Sequence, residues 1–216
     1  MVSPSLTPRG DGEGRFYDTR ADQRSRSALL TVDRDHLGVQ LEVEEFEALI
    51  NRQDVREAEL QTFFETHPHF LMGVASGHAL PHVQLLDASG TLLVPDFVLR
   101  PVVAVQRDSN RNVLDLKLPQ AKLIVDLRRH PRFSSEVASA IAQLKDYGDY
   151  FADPRNANRV HEVLGHKLRF PRLAILIGRL PGDGTIEVLE REQNREPKVT
   201  IVTYDEILER QRRIID

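Results

Sequence analysis

Two charged residues near the middle of the chain form the most chemically suggestive pattern in the sequence. Asp115 and Lys117 alternate with leucines in Asn112-Val-Leu-Asp-Leu-Lys-Leu118. In a β-strand, this alternation puts both charged side chains on one face of the strand and the leucines on the other. A carboxylate and an ammonium group on one face can contact a shared ligand, although the same two groups also form simple ion pairs on half-exposed strands.

A second carboxylate, Asp96, interrupts the apolar segment Leu92-Leu-Val-Pro-Asp-Phe-Val-Leu99. A carboxylate in such a segment needs hydrogen bonds, a cation or solvent to offset its desolvation. Pro95 lacks an amide donor and fits an edge strand or a bulge, where Asp96 could simply turn outward. If the two segments form a hairpin, however, Asp96 and Asp115 converge on one point.

Two converging carboxylates repel each other unless a cation lies between them. Their hard oxygen atoms suit Mg²⁺ or Mn²⁺, which also coordinate phosphate oxygens. Such an ion polarises a phosphodiester and lowers the pKa of an attacking water. A neighbouring ammonium group can orient that water or stabilise the transition state. The three residues therefore predict metal-dependent phosphodiester hydrolysis.

The order of these residues resembles that of a known superfamily. Val94-Pro-Asp96 followed by Leu114-Asp-Leu-Lys117 is similar to the Pro-Asp…Asp-x-Lys signature of the PD-(D/E)XK nucleases. Gln143-Leu-Lys-Asp-Tyr147 resembles the Gln-x-x-x-Tyr motif of their RecB-like branch.

Within that superfamily the sequence resembles the Shedu-type anti-phage nuclease domain, over roughly residues 45–210. The stretches that carry this resemblance are Glu59-Leu-Gln-Thr-Phe-Phe-Glu-Thr-His-Pro68, Pro95-Asp-Phe97, residues 135–147 and Val202-Thr-Tyr-Asp-Glu206. The resemblance implies cleavage of double-stranded DNA, a homo-oligomeric state and a bacterial immune role.

The resemblance also implies a role for each site residue. The implied metal ligands are Asp96, Asp115, the backbone carbonyl of Leu116 and, as an additional acidic ligand on the preceding helix, Glu59. Glu59 competes for that role with its neighbours Glu57 and Gln61, and could instead be a surface helix residue. Lys117 would act on the nucleophilic water and Gln143 would position that water or the phosphate. Tyr147, one helical turn from Gln143, would face the site and the nucleic acid, or only pack.

Basic charge is concentrated around the Asp-x-Lys segment. The whole chain has a formal net charge of -4, which is unlike a strong non-specific nucleic-acid binder. Between residues 107 and 132, however, seven lysines and arginines outnumber three aspartates. Arg128, Arg129 and Arg132 in this segment are predicted phosphate contacts. The alternative is a solvated surface with no ligand.

The elements that position these residues follow from hydrophobic periodicity. Helical spacing begins at Val43, and a second helix is predicted from Asp54 as N-cap, with Glu57 completing a capping box. Strands are predicted over residues 82–86, 92–99 and 113–118, and a long helix over 134–151. The remaining elements are strands over residues 173–177, 185–189 and 198–203, and a final helix from Asp205.

This order of elements predicts an α/β or α+β fold with a mixed central sheet flanked by helices. It resembles the restriction-endonuclease-like fold, an α-β-β-β-α-β core, here with a C-terminal strand pair and helix. Residues 1–40, which are poor in apolar side chains, are predicted to form a flexible N-terminal arm, and residues 41–216 the nuclease-like domain.

Composition excludes several other function classes. The chain has no Cys, so disulfides, thiolate zinc sites and thiol nucleophiles are ruled out. No apolar run approaches the roughly 18 residues of a membrane-spanning helix, which predicts a cytoplasmic protein without a membrane partner. The rival interpretations are a catalytically inactive module on the same fold, binding nucleic acid or protein, and a scaffold in which Asp115 and Lys117 form only a structural ion pair.

Overall fold

The computed structural model describes residues 30–31, 36–72, 77–87, 89–101, 112–165, 168–182 and 185–215. The strands in these ranges are β1 (Leu30–Thr31), β2 (Gly77–Pro81), β3 (Leu85–Leu86), β4 (Leu92–Leu93), β5 (Phe97–Pro101), β6 (Asn112–Leu116), β7 (Ile124–Val125), β8 (Arg132–Phe133), β9 (Arg172–Leu176) and β10 (Val199–Val202). The helices are α1 (His36–Asn51), α2 (Glu57–Thr66), α3 (His69–Met72), α4 (Ser135–Ala152), α5 (Ala157–Leu164), α6 (Ile186–Arg195) and α7 (Tyr204–Ile215).

Six of the strands form one mixed sheet in the order β1-β2-β5-β6-β9-β10. The strands from β1 to β6 pair antiparallel, whereas β6, β9 and β10 pair parallel. The parallel pairs require crossovers, which run through α4 and α5 and then through α6. The predicted mixed sheet with flanking helices is therefore confirmed. Two small hairpins, β3–β4 and β7–β8, lie beside it.

Each face of the sheet is covered by its own apolar core. On one face, Leu114 and Leu116 of β6 pack with residues of α1, α2, α3 and α7, including the fully buried Phe46. On the other face, Val113 packs with α4 and α5. Because strand side chains alternate, Asp115 lies on the same face as Val113, beneath α4. The leucine face of this strand thus fixes which way its carboxylate points.

The predicted C-terminal strand pair is wrong. Residues 185–189 begin helix α6 instead of forming a strand, and only β10 follows. Ile186, Glu187 and Val188 alternate in polarity over a short window, which mimics a strand. Over a longer window the inward residues, Leu189 and the buried Glu192, recur at helical spacing. So few residues do not distinguish a strand pattern from a helix pattern.

Other boundaries differ in detail from the prediction. Helix α2 begins at Glu57, with Arg56 as its N-cap, rather than after an Asp54 cap. The strand predicted over residues 92–99 is split into β4 and β5, and α5 was not predicted at all. The predicted long helix is confirmed as α4, and the Ser134 hydroxyl caps it by accepting a hydrogen bond from the Val137 amide.

The predicted boundary between residues 40 and 41 falls inside α1. Residues 1–29 and 32–35 of the predicted arm lie outside the described residues. Within the part of the chain that the structure describes, no helix has both the length and the apolar character needed to cross a bilayer.

Candidate active site

The pairing of β5 with β6 brings the two predicted aspartates together. Phe97 pairs with Leu114 and Val98 with Val113, so the same register continued by one residue places Asp96 opposite Asp115. Asp96 lies in the bend just before β5, and its Oδ2 accepts a hydrogen bond of 2.6 Å from the Leu116 amide. The strand that carries Asp115 therefore also holds Asp96.

The main-chain carbonyl of Asp96 is held by two further hydrogen bonds. Its carbonyl accepts hydrogen bonds from the His82 amide at 3.1 Å and from Nε2 of Gln61 at 3.4 Å. Gln61 lies on α2 and is 8% exposed, so this helix contributes a buried polar side chain to the rim of the site. Gln61 was considered from the sequence only as a competitor of Glu59 for the acidic role.

Asp115 and Lys117 lie on one face of their strand and contact each other, as predicted from the alternation. The Lys117 Nζ lies 2.5 Å from Oδ2 of Asp115, whose side chain is only 2% exposed. The main-chain amide and carbonyl of Lys117 are both hydrogen-bonded. Its amide donates to the Leu176 carbonyl at 2.9 Å, and its carbonyl accepts from the Tyr204 hydroxyl at 2.6 Å.

Gly178 fixes the segment that follows Lys117. Its φ of 67° lies in the left-handed region, and its amide donates to the Leu118 carbonyl at 3.1 Å. A Cβ at this position would lie 2.7 Å from the Ala121 carbonyl oxygen. Only glycine lets the turn after β9 approach the turn after β6 so closely.

The surroundings of Asp96, including the charge of Asp115, oppose its ionisation. Burial, and next the negative charge of Asp115, raise the pKa of Asp96 to about 7. The hydrogen bond from Leu116 and the positive charge of Lys117 oppose this rise without cancelling it. Asp96 and Asp115 are close enough to share a hydrogen bond through a proton on one of them. At neutral pH the site thus holds a proton that a cation could replace.

A divalent metal ion fits this donor set. Two neighbouring carboxyl groups, one of which (Asp96) has a pKa raised to about 7, supply hard oxygen ligands and a reason to bind positive charge. No group of three or more Asp, Glu or His residues suited to a metal occurs within the described ranges. Further ligands would therefore come from water and from the main chain, as predicted for the Leu116 carbonyl. Mg²⁺ commonly retains several waters in this way.

Gln143 reaches the site through Tyr147. Nε2 of Gln143 donates to the Tyr147 hydroxyl at 2.8 Å, and that hydroxyl donates to the Val94 carbonyl at 3.3 Å. Burial and then the charge of Asp115 raise the pKa of Tyr147 to about 12, which places this phenol beside the carboxylates. Tyr147 is 1% exposed, so it supports Gln143 from below and does not present its ring to nucleic acid. The exposed Gln143 is the member of this pair that solvent can reach.

Glu59 is not brought to the aspartates. Its Oε1 accepts from the Arg52 guanidinium at 2.8 Å and its Oε2 from the Arg56 amide at 3.0 Å. It is the N3 member of the capping box of α2, and the Arg56 amide is the largest cause of its lowered pKa. Its carboxylate is thus occupied in starting a helix, a role that the sequence analysis gave to Glu57.

Glu57 lies close enough to Tyr204 for its charge to oppose ionisation of that phenol. It precedes Gln61 by one helical turn, and its charge contributes, after burial, to raising the pKa of Tyr204. The Tyr204 hydroxyl is the group that holds the Lys117 carbonyl. Of Glu57 and Glu59, Glu57 therefore lies nearer to Tyr204, which supports Lys117.

The predicted phosphate contacts lie on the β7–β8 hairpin. Arg128, Arg129 and Arg132 are all exposed. Arg132 pairs with Asp126 at 2.9 Å, whereas the other two form no ion pair with another described residue. The hairpin connects the strand of the Asp-x-Lys pattern to α4, so it lies between the elements that carry Lys117 and Gln143 along the chain.

Tyr204 is the supporting residue that the sequence analysis missed. It is fully buried between Phe46 and Phe64, and it starts the helix that was predicted to begin one residue later. A tyrosine in an apolar core needs a partner for its hydroxyl, which is the signal that could have marked it.

The chain matches a known protein family over most of its described length. A family profile described as Shedu protein SduA, C-terminal, matches residues 54–208. The matched span begins just before α2 and ends within α7, so it includes β5, β6, α2 and α4, but not α1, which packs against Tyr204 through Phe46. No curated protein matches the chain.

Proposed function

This chain belongs to the family of the C-terminal part of Shedu protein SduA, and we propose that it is a metal-dependent endonuclease that cleaves double-stranded DNA in bacterial defence against phage. The match confirms the resemblance of the sequence to the Shedu-type domain. The assignment to the PD-(D/E)XK superfamily, with its restriction-endonuclease-like topology, is part of the proposal. The observation that carries it is the convergence of Asp96, Asp115 and Lys117.

In this proposal Asp96 and Asp115 hold Mg²⁺ or Mn²⁺, with the Leu116 carbonyl as a further ligand. The bound ion would polarise the phosphodiester and neutralise the charge that develops during its hydrolysis. Asp96 gives up its proton when the ion binds, because both carboxylates are then needed as anions. If α2 supplies another carboxylate, the structure favours Glu57 over Glu59, whose oxygens are already hydrogen-bonded.

Lys117 acts on the attacking water. Asp115 fixes its ammonium group by an ion pair, and the Tyr204 hydroxyl fixes its main chain. A donor held in this way can orient the water and stabilise negative charge on the phosphate without losing further side-chain entropy. Its side chain is one quarter exposed, so a ligand in solvent can reach it.

Gln143, on α4, positions the water or the phosphate. Its side chain is exposed, yet its amide is held by the Tyr147 hydroxyl. The pKa of Tyr147, raised to about 12, keeps this hydroxyl protonated at neutral pH. The hydroxyl therefore remains able both to donate to Val94 and to accept from Gln143.

The duplex is proposed to lie along the β7–β8 hairpin, where Arg128, Arg129 and Arg132 contact phosphates. A formal net charge of -4 predicts that this affinity is modest and sensitive to salt. We further propose a homo-oligomer, in which two copies of the site could cut the two strands of a duplex, and a cytoplasmic location, where phage DNA is met.

A catalytically inactive module on the same fold is the second candidate. The observation that favours it is the ion pair itself, because Lys117 and the 2%-exposed Asp115 neutralise each other without any ligand. Such a module would bind nucleic acid or protein through the hairpin surface alone.

Cleavage of supercoiled plasmid DNA with Mg²⁺ separates these candidates. We expect Asp115→Asn and Lys117→Ala each to reduce cleavage by about 100-fold or more while DNA binding persists. The matched controls are Glu190→Gln and Lys198→Ala, which change the same charges at exposed positions. DNA binding without cleavage in the wild type would favour the inactive module, and cleavage that survives both site substitutions would refute the assigned site.

A further inference from the structure

A pocket separate from the aspartate pair lies between the end of α1 and the segment that joins β6 to β7. It has a volume of about 450 Å³, which is within the range of small-molecule sites. One wall comes from the end of α1, a second from residues 119–124 and Leu127, and a third from Arg179 and Pro181. None of the residues assigned to metal binding or to the attacking water lines it.

Hydrogen bonds between the walls hold this pocket open. Nη1 of Arg179 donates to the Ile50 carbonyl at 3.2 Å and to Oδ1 of Asn51 at 2.8 Å, which joins the turn after β9 to the end of α1. Nε2 of Gln120 donates to the Arg52 carbonyl, which joins the β6–β7 segment to the same end of α1. Because the walls are already tied together, a ligand need not order them on binding.

The uncompensated charge of the pocket is positive. No Asp or Glu is among the described residues that line it. Arg179 is paired with Asp205 at 2.7 Å, and the neighbouring Asp126 is paired with Arg132 at 2.9 Å. Lys122 lines the pocket, is exposed, and forms no ion pair with another described residue. Its ammonium group is therefore available to an anion such as a phosphate.

The neutral lining groups suit a nucleobase better than a simple anion. Gln53 is exposed and lines the pocket, and Asn51 keeps its Nδ2 as a donor while its Oδ1 accepts from Arg179. A carboxamide carries donors and an acceptor in one plane, an arrangement that pairs with the edges of bases. Ile124 and Leu127 add apolar surface, and Leu127 is 54% exposed, so this surface is available to the face of a base.

The pocket continues the surface that is proposed to contact DNA. Leu127 lines it and immediately precedes Arg128 and Arg129 on the β7–β8 hairpin. Its β6–β7 wall begins at Pro119, two residues after Lys117. A DNA strand whose phosphates contact the hairpin therefore passes close to the pocket.

We propose that this pocket binds a nucleotide. Lys122 contacts the phosphate, Gln53 and Asn51 contact the edge of the base, and Leu127 covers one face of the base. Two sources share this chemistry: a free nucleoside monophosphate, and an unpaired nucleotide turned out of a DNA duplex. The second source rests on the proposed function, whereas the first does not.

Isothermal titration calorimetry of the whole chain in EDTA tests this proposal with the four deoxynucleoside monophosphates as probes. We expect at least one to bind, and Lys122→Ala combined with Gln53→Ala to weaken it by about tenfold or more, because a phosphate contact and a base contact are lost. The control combines Lys198→Ala with Gln84→Ala, which makes the same changes at exposed positions of other segments and should alter affinity by less than about twofold.

A second titration compares a duplex that contains one unpaired nucleotide with the fully paired duplex. If the nucleotide comes from DNA, we expect the first duplex to bind about fivefold more tightly, because no base pair has to be broken. Leu127→Ala should abolish this preference, whereas Leu41→Ala, at an exposed leucine of α1, should retain it.

Each outcome supports or overturns the proposal. Pocket-dependent binding of a monophosphate assigns the free nucleotide, and a pocket-dependent preference for the unpaired duplex assigns the DNA source. The proposal is overturned if neither is observed, if the pocket substitutions change neither, or if aspartyl-aspartate binds the pocket as tightly as the monophosphates do. Because EDTA removes the metal, the monophosphate titration is valid whether or not the wild type cleaves plasmid DNA. Gln53→Ala alone, on the exposed turn after α1, should show a smaller loss with unchanged thermal unfolding, which guards against an effect on folding.

Discussion

At Asp96 the protein keeps a carboxyl group in an environment that opposes its ionisation. Its pKa is raised to about 7 by burial first and by the charge of Asp115 second. An unfolded chain would ionise this group near the ordinary value of 3.8. Between these two pH values the folded state binds a proton that the unfolded state does not, so the free energy of unfolding falls as pH rises.

Asp96→Asn should remove this dependence. The asparagine oxygen can still accept from the Leu116 amide, and its Nδ2 can donate to Asp115 instead of repelling it. In urea denaturation with EDTA, we expect the variant to be more stable than the wild type, by a margin that grows by about 2 kcal/mol from pH 5 to pH 8. Asp149→Asn, an exposed substitution outside the site, should show no such growth. A margin independent of pH would refute the raised pKa.

Single residues were predictable from the sequence where their type was unusual for their surroundings. Asp96 and Asp115 interrupt apolar strands, and the structure places them opposite each other. Glu59 was not distinguishable from Glu57, because both are glutamates on an amphipathic helix and only the true first turn decides which one caps it. The N-cap is Arg56, a residue that rarely begins a helix, so capping preference pointed to the wrong position.

Among the elements, β10 shows how an exposed sheet edge is protected. It is the last strand of the sheet, and no other strand of the described residues pairs with its outer side. The side chain of Gln193, from α6, accepts from the Ile201 amide at 2.7 Å and donates to the Val199 carbonyl. One amide group therefore occupies a donor and an acceptor that would otherwise attract another strand.

Gln193→Ala should expose this edge. We expect a loss of about 1–2 kcal/mol in the free energy of unfolding, because two hydrogen bonds of the strand are removed. We also expect new, concentration-dependent association through β10, measured by light scattering after size-exclusion chromatography. Glu190→Ala, an exposed position on the same helix, is the matched control. Unchanged stability and unchanged mass in the Gln193 variant would contradict this role.

Elements were predictable where periodicity extended over many residues. The long helix α4 was located correctly because its buried positions, from Val137 to Tyr150, repeat through about four turns of helix and its cap is a serine. The first residues of helix α6 alternate in polarity, which predicts a strand. Its inner face includes the buried Glu192, which forms an ion pair with Arg195. Because a glutamate is polar, its burial in an ion pair cannot be recognised from an apolar pattern in the sequence.

Over the whole molecule, charge is divided between two surfaces with different consequences. The exposed arginines of the β7–β8 hairpin follow the strand of Asp115, whereas Asp146, Asp149 and Asp153 lie along the carboxyl end of α4. The net charge of -4 hides this separation. Composition alone therefore argued against nucleic acid more strongly than the distribution of the charges does.

The salt dependence of DNA binding tests the basic surface. In an Asp115→Asn background, Arg128→Ala combined with Arg129→Ala should make the slope of log affinity against log salt shallower by about 2, since each lost phosphate contact contributes about 0.9. The control combines Arg169→Ala with Arg213→Ala, two exposed arginines on other elements. An unchanged slope in the hairpin variant would place the duplex elsewhere.

The hydrogen bond from Tyr204 to the Lys117 carbonyl has a consequence for the order in which the molecule is made. The strand of Asp115 pairs with β9, more than fifty positions downstream, and its lysine is anchored from a helix later still. A nascent chain therefore cannot complete the aspartate–lysine arrangement until residues beyond 204 have left the ribosome. During synthesis the complete site therefore forms only after nearly the whole domain has been translated.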